Sequence, residues 1–389
     1  MRIRRAVAGT VVGTLTALGV ATATLTPATA SPADSAAASN LACATSRVAT
    51  WSLTAVARET VVVSAQATSL ASLTAAATQG YGGFLLFGAT APSSLPATLR
   101  SLARLEPDRL SPMIMTDAEG GGIIRFPALV GQWPWAQTMG ATMTPAQIQR
   151  QGRRAGLAMA QAGLNVDLAP VADVDARAVW PSATNPDGLR SFGGSPAKDG
   201  ADVAAFATGL ASAHVLAVVK HFPGLGYATA NTDNAPAATQ PWSVLQRTGL
   251  VPFRDAIAAG VSAVMMSNAS IPGLTSLPAG ISRVAIAQLR HQMGFTGLIM
   301  TDALSAVAVS ARHLSVAQAS VDALAAGADQ VLNGNPASAG LALQTASLTT
   351  AAIVSAVAHG TLTRAALAAA AAQVLASTNT LSCASRTSG

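Results

Sequence analysis

The chain has 389 residues, of which 50% are hydrophobic and 10% charged, with 23 Lys and Arg against 17 Asp and Glu. That length and apolar content supply a sizeable core and fit either two ordinary domains or one large α/β barrel. The net charge of +6 is scattered, with no basic run interleaved with aromatics, which argues against nucleic acid as a partner.

At the N-terminus, Arg2, Arg4 and Arg5 precede an apolar stretch over 6–25, and Pro27 stands before Ala28-Thr29-Ala30. A positive head, an apolar middle and small residues at the end describe a secretory signal peptide over 1–30. An uncleaved membrane anchor competes with this reading, and the helix-breaking Pro27 beside small residues argues against it. The protein is therefore expected to be secreted or wall-associated, with no integral membrane segment once processed. Residues 31–42 read as a flexible leader and 384–389 as a tail.

Cys43 follows Asn40-Leu41-Ala42 far beyond the apolar stretch, which does not resemble a lipid-attachment site. Cys383 lies near the other end, and in an oxidising compartment the two are expected to bridge, provided the ends of the fold are adjacent. No second Cys or His stands at ligand spacing from either, so no metal site is expected.

In chain order, short β-prone runs occur at 60–64 (or slightly upstream at 48–53), 83–88, 111–117, 166–173, 215–221, 261–268, 296–302 and 328–333. Continuous apolar strands of this kind suit a parallel sheet covered on both faces. The intervals hold Ala-rich stretches of helical periodicity, including 144–162, 197–213 and 282–293, and the stretch 350–376 is also helical. Seven or eight βα units without a break in composition fit a single (β/α)₈ TIM-type barrel over 43–383 better than an open doubly wound sheet. Its active site should lie at the C-terminal ends of the strands.

Several polar residues stand at those ends. Asp302 closes a strongly apolar run, where an unpaired buried carboxylate would be costly, so it is expected to face the open end of the barrel. There it suits a covalent nucleophile; a pairing carboxylate is the plainer alternative. Asp117 and Glu119 lie in the segment 117–125, whose three glycines let the backbone approach a ligand closely, with Arg125 as a donor nearby. Glu119 is one of three glutamates and Lys220 one of two lysines in the chain. Either could be structural, but a lysine ending a barrel strand points toward a ligand. Arg190 offers a fork of donors, with Asp173 and Asp175 as expected partners. The loop after His221, 222–234, is shaped by Pro and Gly at its base and ends in a mobile-looking polar stretch.

Together these pieces resemble glycoside hydrolase family 3, in its single-domain bacterial β-N-acetylglucosaminidase form. The matching segments are Asp117-Ala-Glu-Gly-Gly with Arg125, Asn165 through Ala169-Pro170-Val171 to Asp173, and Arg190-Ser-Phe-Gly. Lys220-His-Phe-Pro-Gly224, Gly297-Leu-Ile-Met-Thr-Asp302 and Gly327-Ala-Asp329 complete the set. The resemblance implies a barrel, a retaining two-step mechanism on a glycan without any cofactor, and Asp302 as nucleophile. It places sugar-hydroxyl binding on Asp117, Arg190, Lys220 and His221, with Asp173 expected to support the pocket by way of Arg190.

The acid/base loop departs from the family pattern. The family has a His-Gly after the Lys-His-Phe-Pro-Gly motif and later an Asp-Ser-His triplet; here Leu225 and Asn231-Thr232-Asp233 stand in those places. Three readings stay open: Asp233 is itself the acid/base, another acidic residue serves, or the protein holds a sugar with little or no hydrolysis. β-N-acetylglucosaminides of cell-wall or chitin-like glycans are the leading substrate class, with other β-glycosides as the alternative.

Overall fold

The computed structural model describes residue 9 and residues 32–378 apart from 69, 108–110 and 335–337. The segment 1–30 expected to be a signal peptide, apart from residue 9, and the tail 384–389 lie outside the described residues.

Eight strands form one parallel sheet: β1 (Val61–Gln66), β2 (Gly83–Phe87), β3 (Met113–Thr116), β6 (Val166–Asp167), β7 (Leu216–Phe222), β8 (Ala263–Met266), β9 (Leu298–Thr301) and β10 (Val331–Leu332). A short antiparallel hairpin, β4 (Ala118–Gly120) and β5 (Ile123–Ile124), sits on the loop after β3. β10 pairs with β1 on one side, and a parallel bridge between Met300 and Gln330 meets β9 on the other, so the sheet curls into a barrel. The fold expectation is met. Of the two places offered for the first strand, 60–64 overlaps β1, whereas 48–53 is the end of one helix and the start of the next.

The strands alternate as a doubly covered sheet requires. Val62, Leu85, Met113, Met115, Val218, Met265, Leu298 and Met300 point into the barrel and pack together. Val61, Val63, Phe84, Leu86, Ile114, Val219, Val264 and Ile299 face outward into the helical layer. The expected run 166–173 is regular only at its first two residues. Pro170 has no N–H for the ladder, yet its carbonyl accepts from Lys220 N at 3.1 Å and Lys220 O accepts from Ala172 N at 2.6 Å. At the closing seam, the Asp329 carboxylate accepts from Ile299 N at 2.8 Å and Arg290 Nη2 at 2.6 Å; burial pushes its pKa up to about 6.

Three local expectations are corrected. Residues 32–42, expected to be flexible, belong to the helix Pro32–Val48. The helical stretch 350–376 is two helices, Ala339–Ala358 and Arg364–Ser377, because Gly360 takes φ +78° and Thr363 caps the second through Ala366 N at 3.1 Å. The segment 282–293 is helical but widens after Ala287 into a π-turn over Gln288–Gln292.

The Cys43–Cys383 disulfide expected from the sequence involves a residue outside those described. No bridge joins two described residues; Cys43 lies half-buried on the first helix and Cys383 falls outside the described residues. The ends of the barrel meet by apolar packing of Pro32–Val48 on Arg364–Ser377, whose Val374 joins the side chains inside the barrel. Ala339–Ala358 is long and apolar enough to cross a membrane, but it packs on β1 and neighbouring helices as part of the outer layer.

The helices Pro145–Ala162 and Pro196–Ala211 touch through glycines. A Cβ added at Gly152 would lie 2.4 Å from Phe206 O, and one at Gly209 would lie 2.2 Å from Gln149 O. Alanine gains about 1 kcal/mol of helix propensity over glycine, while overpacking costs about 1–3 kcal/mol. Because the obstacle is backbone, the clash wins. Gly152→Ala is expected to lower stability by about 1–2 kcal/mol in urea unfolding, and an unchanged midpoint would show that the helices separate freely.

Candidate active site

The barrel's C-terminal end opens into a cavity of ≈ 240 Å³ reached by side chains from most of the strand ends. Asp117, Glu119, Arg190, Lys220, His221, Asp233 and Asp302 all line it, as does Arg125. Every ligand-facing residue expected from the sequence is thus gathered in one place. Leu85, Leu168, Met265 and Leu332 form an apolar base beneath them.

Charge pairing organises the floor. Lys220, only 3% exposed at its side chain, donates to Asp117 Oδ1 at 2.8 Å and lies 2.7 Å from Glu119 Oε1. Arg190 grips Glu119 with two parallel bonds, Nε to Oε2 and Nη2 to Oε1, both 2.8 Å, and also donates to Pro186 O at 2.6 Å. Burial opposes the charge on Glu119, but these two cations outweigh it and hold the carboxyl well below the usual range. Arg190 therefore pairs with Glu119 rather than with Asp173 or Asp175; Asp175 is taken by Arg177 at 2.6 Å. Arg125 stands farther off, with Nε 3.9 Å from Asp117 Oδ2.

Asp173 has a different task from the expected one. It accepts from His221 N at 3.2 Å and Leu225 N at 2.7 Å, and its Oδ2 lies 2.8 Å from His221 Nδ1. That contact fixes the imidazole with Nδ1 engaged and the opposite nitrogen left for the cavity.

The two candidate catalytic carboxylates sit on different supports. Asp302 follows β9 directly, with its N–H bonded to Met266 O at 3.0 Å and its Oδ1 accepting from Ala303 N at 2.7 Å. Asp233 comes from the loop after β7 and is exposed at the cavity mouth, with its N–H donating to Asn231 Oδ1 at 3.0 Å. The cavity walls still remove part of its hydration, and with the Asp302 carboxylate this raises its pKa above 3.8. His221 and Arg190 act in the opposite direction.

The loop is tied down rather than mobile. Asn231 N donates to Ala183 O at 2.9 Å, Ala308 N donates to Thr232 O at 3.0 Å, and Thr232 is buried. Leu225 packs with Ala228, Ala237 and Ala269 in a small core of its own. Gly226 allows this approach, since a Cβ there would meet Val174 O at 2.0 Å.

Two buried acids whose charges interact with those of the cavity were not singled out from the sequence. Asp167, at the end of β6, accepts from Ala118 N at 3.0 Å, and burial pushes its pKa far up. Asp187 accepts from Ser191 Oγ at 2.5 Å and is driven upward chiefly by burial and then by Asp173. Asp167 looked like an ordinary strand residue; Asp187 lies on the long connection between Asp175 and Gly188, whose length was a signal available in the sequence.

Glu119→Gln would leave Lys220 and Arg190 buried with one carboxylate too few, a loss expected to cost about 3–5 kcal/mol. Because the folded-state pKa of Glu119 is depressed, its contribution is full above its unfolded value of 4.5 and declines as the pH falls below it. Urea unfolding of both proteins at pH 7 and pH 3 checks this: the difference should be large at pH 7 and smaller at pH 3.

With this geometry in view, comparison with known proteins becomes specific. Residues 76–377 match the glycosyl hydrolase family 3 N-terminal domain. The beta-hexosaminidase LpqI of Mycobacterium tuberculosis is 36% identical over 230 residues, 56% of this chain and 57% of that protein, so the match spans little more than half of that relative's length. A glycosyl hydrolase of the same family from Mycobacterium smegmatis superposes with TM-score 0.78 at 30% identity, over 86% of this chain and 99% of the other. The β-N-acetylhexosaminidase of Beutenbergia cavernae superposes with TM-score 0.75 at 30% identity, over 84% and 98%. A match over most of the barrel, including the residues that build its cavity, makes this chain a member of glycosyl hydrolase family 3.

Proposed function

We propose that the protein is an exported retaining glycoside hydrolase that removes terminal β-linked N-acetylhexosamine from cell-wall or chitin-like glycans. The observation that carries the reading is the convergence of Asp302 and Asp233 on a cavity floored by alternating buried cations and carboxylates. Paired acids in unlike surroundings are what glycoside hydrolysis requires. The names of the similar hexosaminidases support the sugar class, and the N-terminal segment 1–30 supports export.

In this mechanism Lys220, Arg190, His221 and Asp117 hold the terminal sugar's hydroxyl groups. An Asp302 oxygen attacks the anomeric carbon as the bond to the leaving oxygen breaks, and Asp233 gives that oxygen a proton. Ionised Asp233 then takes a proton from water, which attacks the same carbon and frees Asp302. Two inversions retain the anomeric configuration. Asp233 here replaces the histidine of the family's loop, and its raised pKa favours the protonated form needed first. No metal or organic cofactor enters any step.

A second reading draws on the same loop. Asn231 stands where a carboxylate would orient the acid, and Asp233 is exposed, which favours a carbohydrate-binding protein with little turnover.

Purified protein assayed on 4-nitrophenyl β-glycosides, N-acetylglucosaminide first, decides between them. Asp302→Asn should abolish cleavage of every substrate. Asp233→Asn should lower turnover of poor leaving groups by about 10²–10⁴-fold and affect nitrophenolate release far less. The sign of the pH effect follows from the acid's role: kcat/KM for poor leaving groups falls as pH rises through the raised pKa of Asp233, and this alkaline limb disappears in Asp233→Asn. Absence of turnover of any activated glycoside by folded protein would favour the binding reading.

A further inference from the structure

We propose that Trp180 forms a second carbohydrate subsite outside the cavity, stacking against the sugar on the leaving-group side of the scissile bond. The proposal rests on the reading of the cavity as a glycan site. Trp180 is 68% exposed, the highest value among the exposed large hydrophobic side chains of the described residues. A single exposed apolar residue is ordinary by itself; the manner in which this one is held and its position are not.

Its ring meets Trp135 edge to face, with centroids 5.1 Å apart and planes at 88°. Both indoles rest against the glycine segment of the hairpin: a Cβ at Gly121 would lie 2.0 Å from the Trp135 ring, and one at Gly122 would lie 2.9 Å from Trp135 and 3.4 Å from Trp180. The Trp180 loop is pinned by Leu189 N to Val179 O at 3.0 Å and Ser182 N to Asn185 O at 2.7 Å. A fixed indole with open surface is a platform, since the apolar C–H face of a pyranose lies flat against an aromatic ring at little cost in side-chain ordering.

The platform is continuous with the cavity. Pro181, the next residue, lines it, as does Ile123, which follows Gly122. The same loop accepts from Asn231 N through Ala183 O, joining it to the segment that carries Asp233. Lys220 and its carboxylates form the cavity floor, so a second sugar would extend outward past Pro181 and Ile123, the neighbours of Trp180 and Gly122 that line the mouth.

Calorimetric titration of the Asp302→Asn chain with N-acetylglucosamine and with its β-1,4-linked disaccharide tests the assignment. With Trp180 present the disaccharide should bind about tenfold more tightly than the monosaccharide, the scale of one aromatic contact. Trp180→Ala should erase that preference while leaving the monosaccharide affinity unchanged, and Trp180→Phe should keep most of it. A preference that survives Trp180→Ala, or none with Trp180 in place, overturns the subsite. Hydrolysis of the β-glycosyl fluoride by the wild-type chain separately tests the hydrolase reading, since fluoride places no ring outside the cavity.

Discussion

Lys220 carries its charge at a position almost closed to water, and the upper half of the barrel is arranged around making that tolerable. Its ammonium touches Asp117 and Glu119, and Glu119 is in turn gripped by Arg190 from a loop about 70 residues farther along the chain, with 71 positions separating the pair. Two cations and two carboxylates balance within one small volume. A further ionised carboxyl there would lack a counter-charge, and Asp167 is accordingly held far above the ordinary carboxylate range by burial. The cluster joins the ends of β3 and β7 to the Arg190 loop, so the shape of the cavity floor depends on it.

Asp302 and Asp233 stand apart from this balance, and in the proposed mechanism they are the acids that carry the chemistry. Asp302 is placed by a strand whose neighbours are packed on both faces, which limits its freedom to a side-chain rotation. Asp233 is placed by a loop, and that loop is held by its own apolar cluster around Leu225 and by backbone bonds to the segments at Ala183 and Ala308. Leu225 thus anchors the loop.

Much of the barrel was legible because its period is short. Strand runs such as 83–88 and 296–302 are continuous apolar segments ending in polar residues, and seven or eight of them suit a doubly covered parallel sheet. The helix Pro145–Ala162 was equally legible, with Thr144 and Gln147 forming a capping box at its start. Elements governed by single backbone positions were harder to read. The break at Gly360, the widened turn after Ala287 and the irregular course after Asp167 follow from one residue's φ or one missing N–H rather than from a repeating pattern.

The site residues divide in the same way. Asp117, Lys220, His221 and Asp302 stood out in the sequence at the ends of apolar runs, Glu119 as a rare glutamate before three glycines and Arg190 as a fork of donors in a loop, while the resemblance implied their sugar-binding and catalytic roles. Their pairing was not identifiable: the sequence offered Asp173 and Asp175 to Arg190, and the fold offered Glu119. Partner choice depends on which strand ends face one another across the barrel mouth, and that is set by closure and register. Residue type and spacing determined that a charged cavity exists at this end of the barrel. Only the tertiary structure decided which charges meet, because burial makes each pairing depend on all the others.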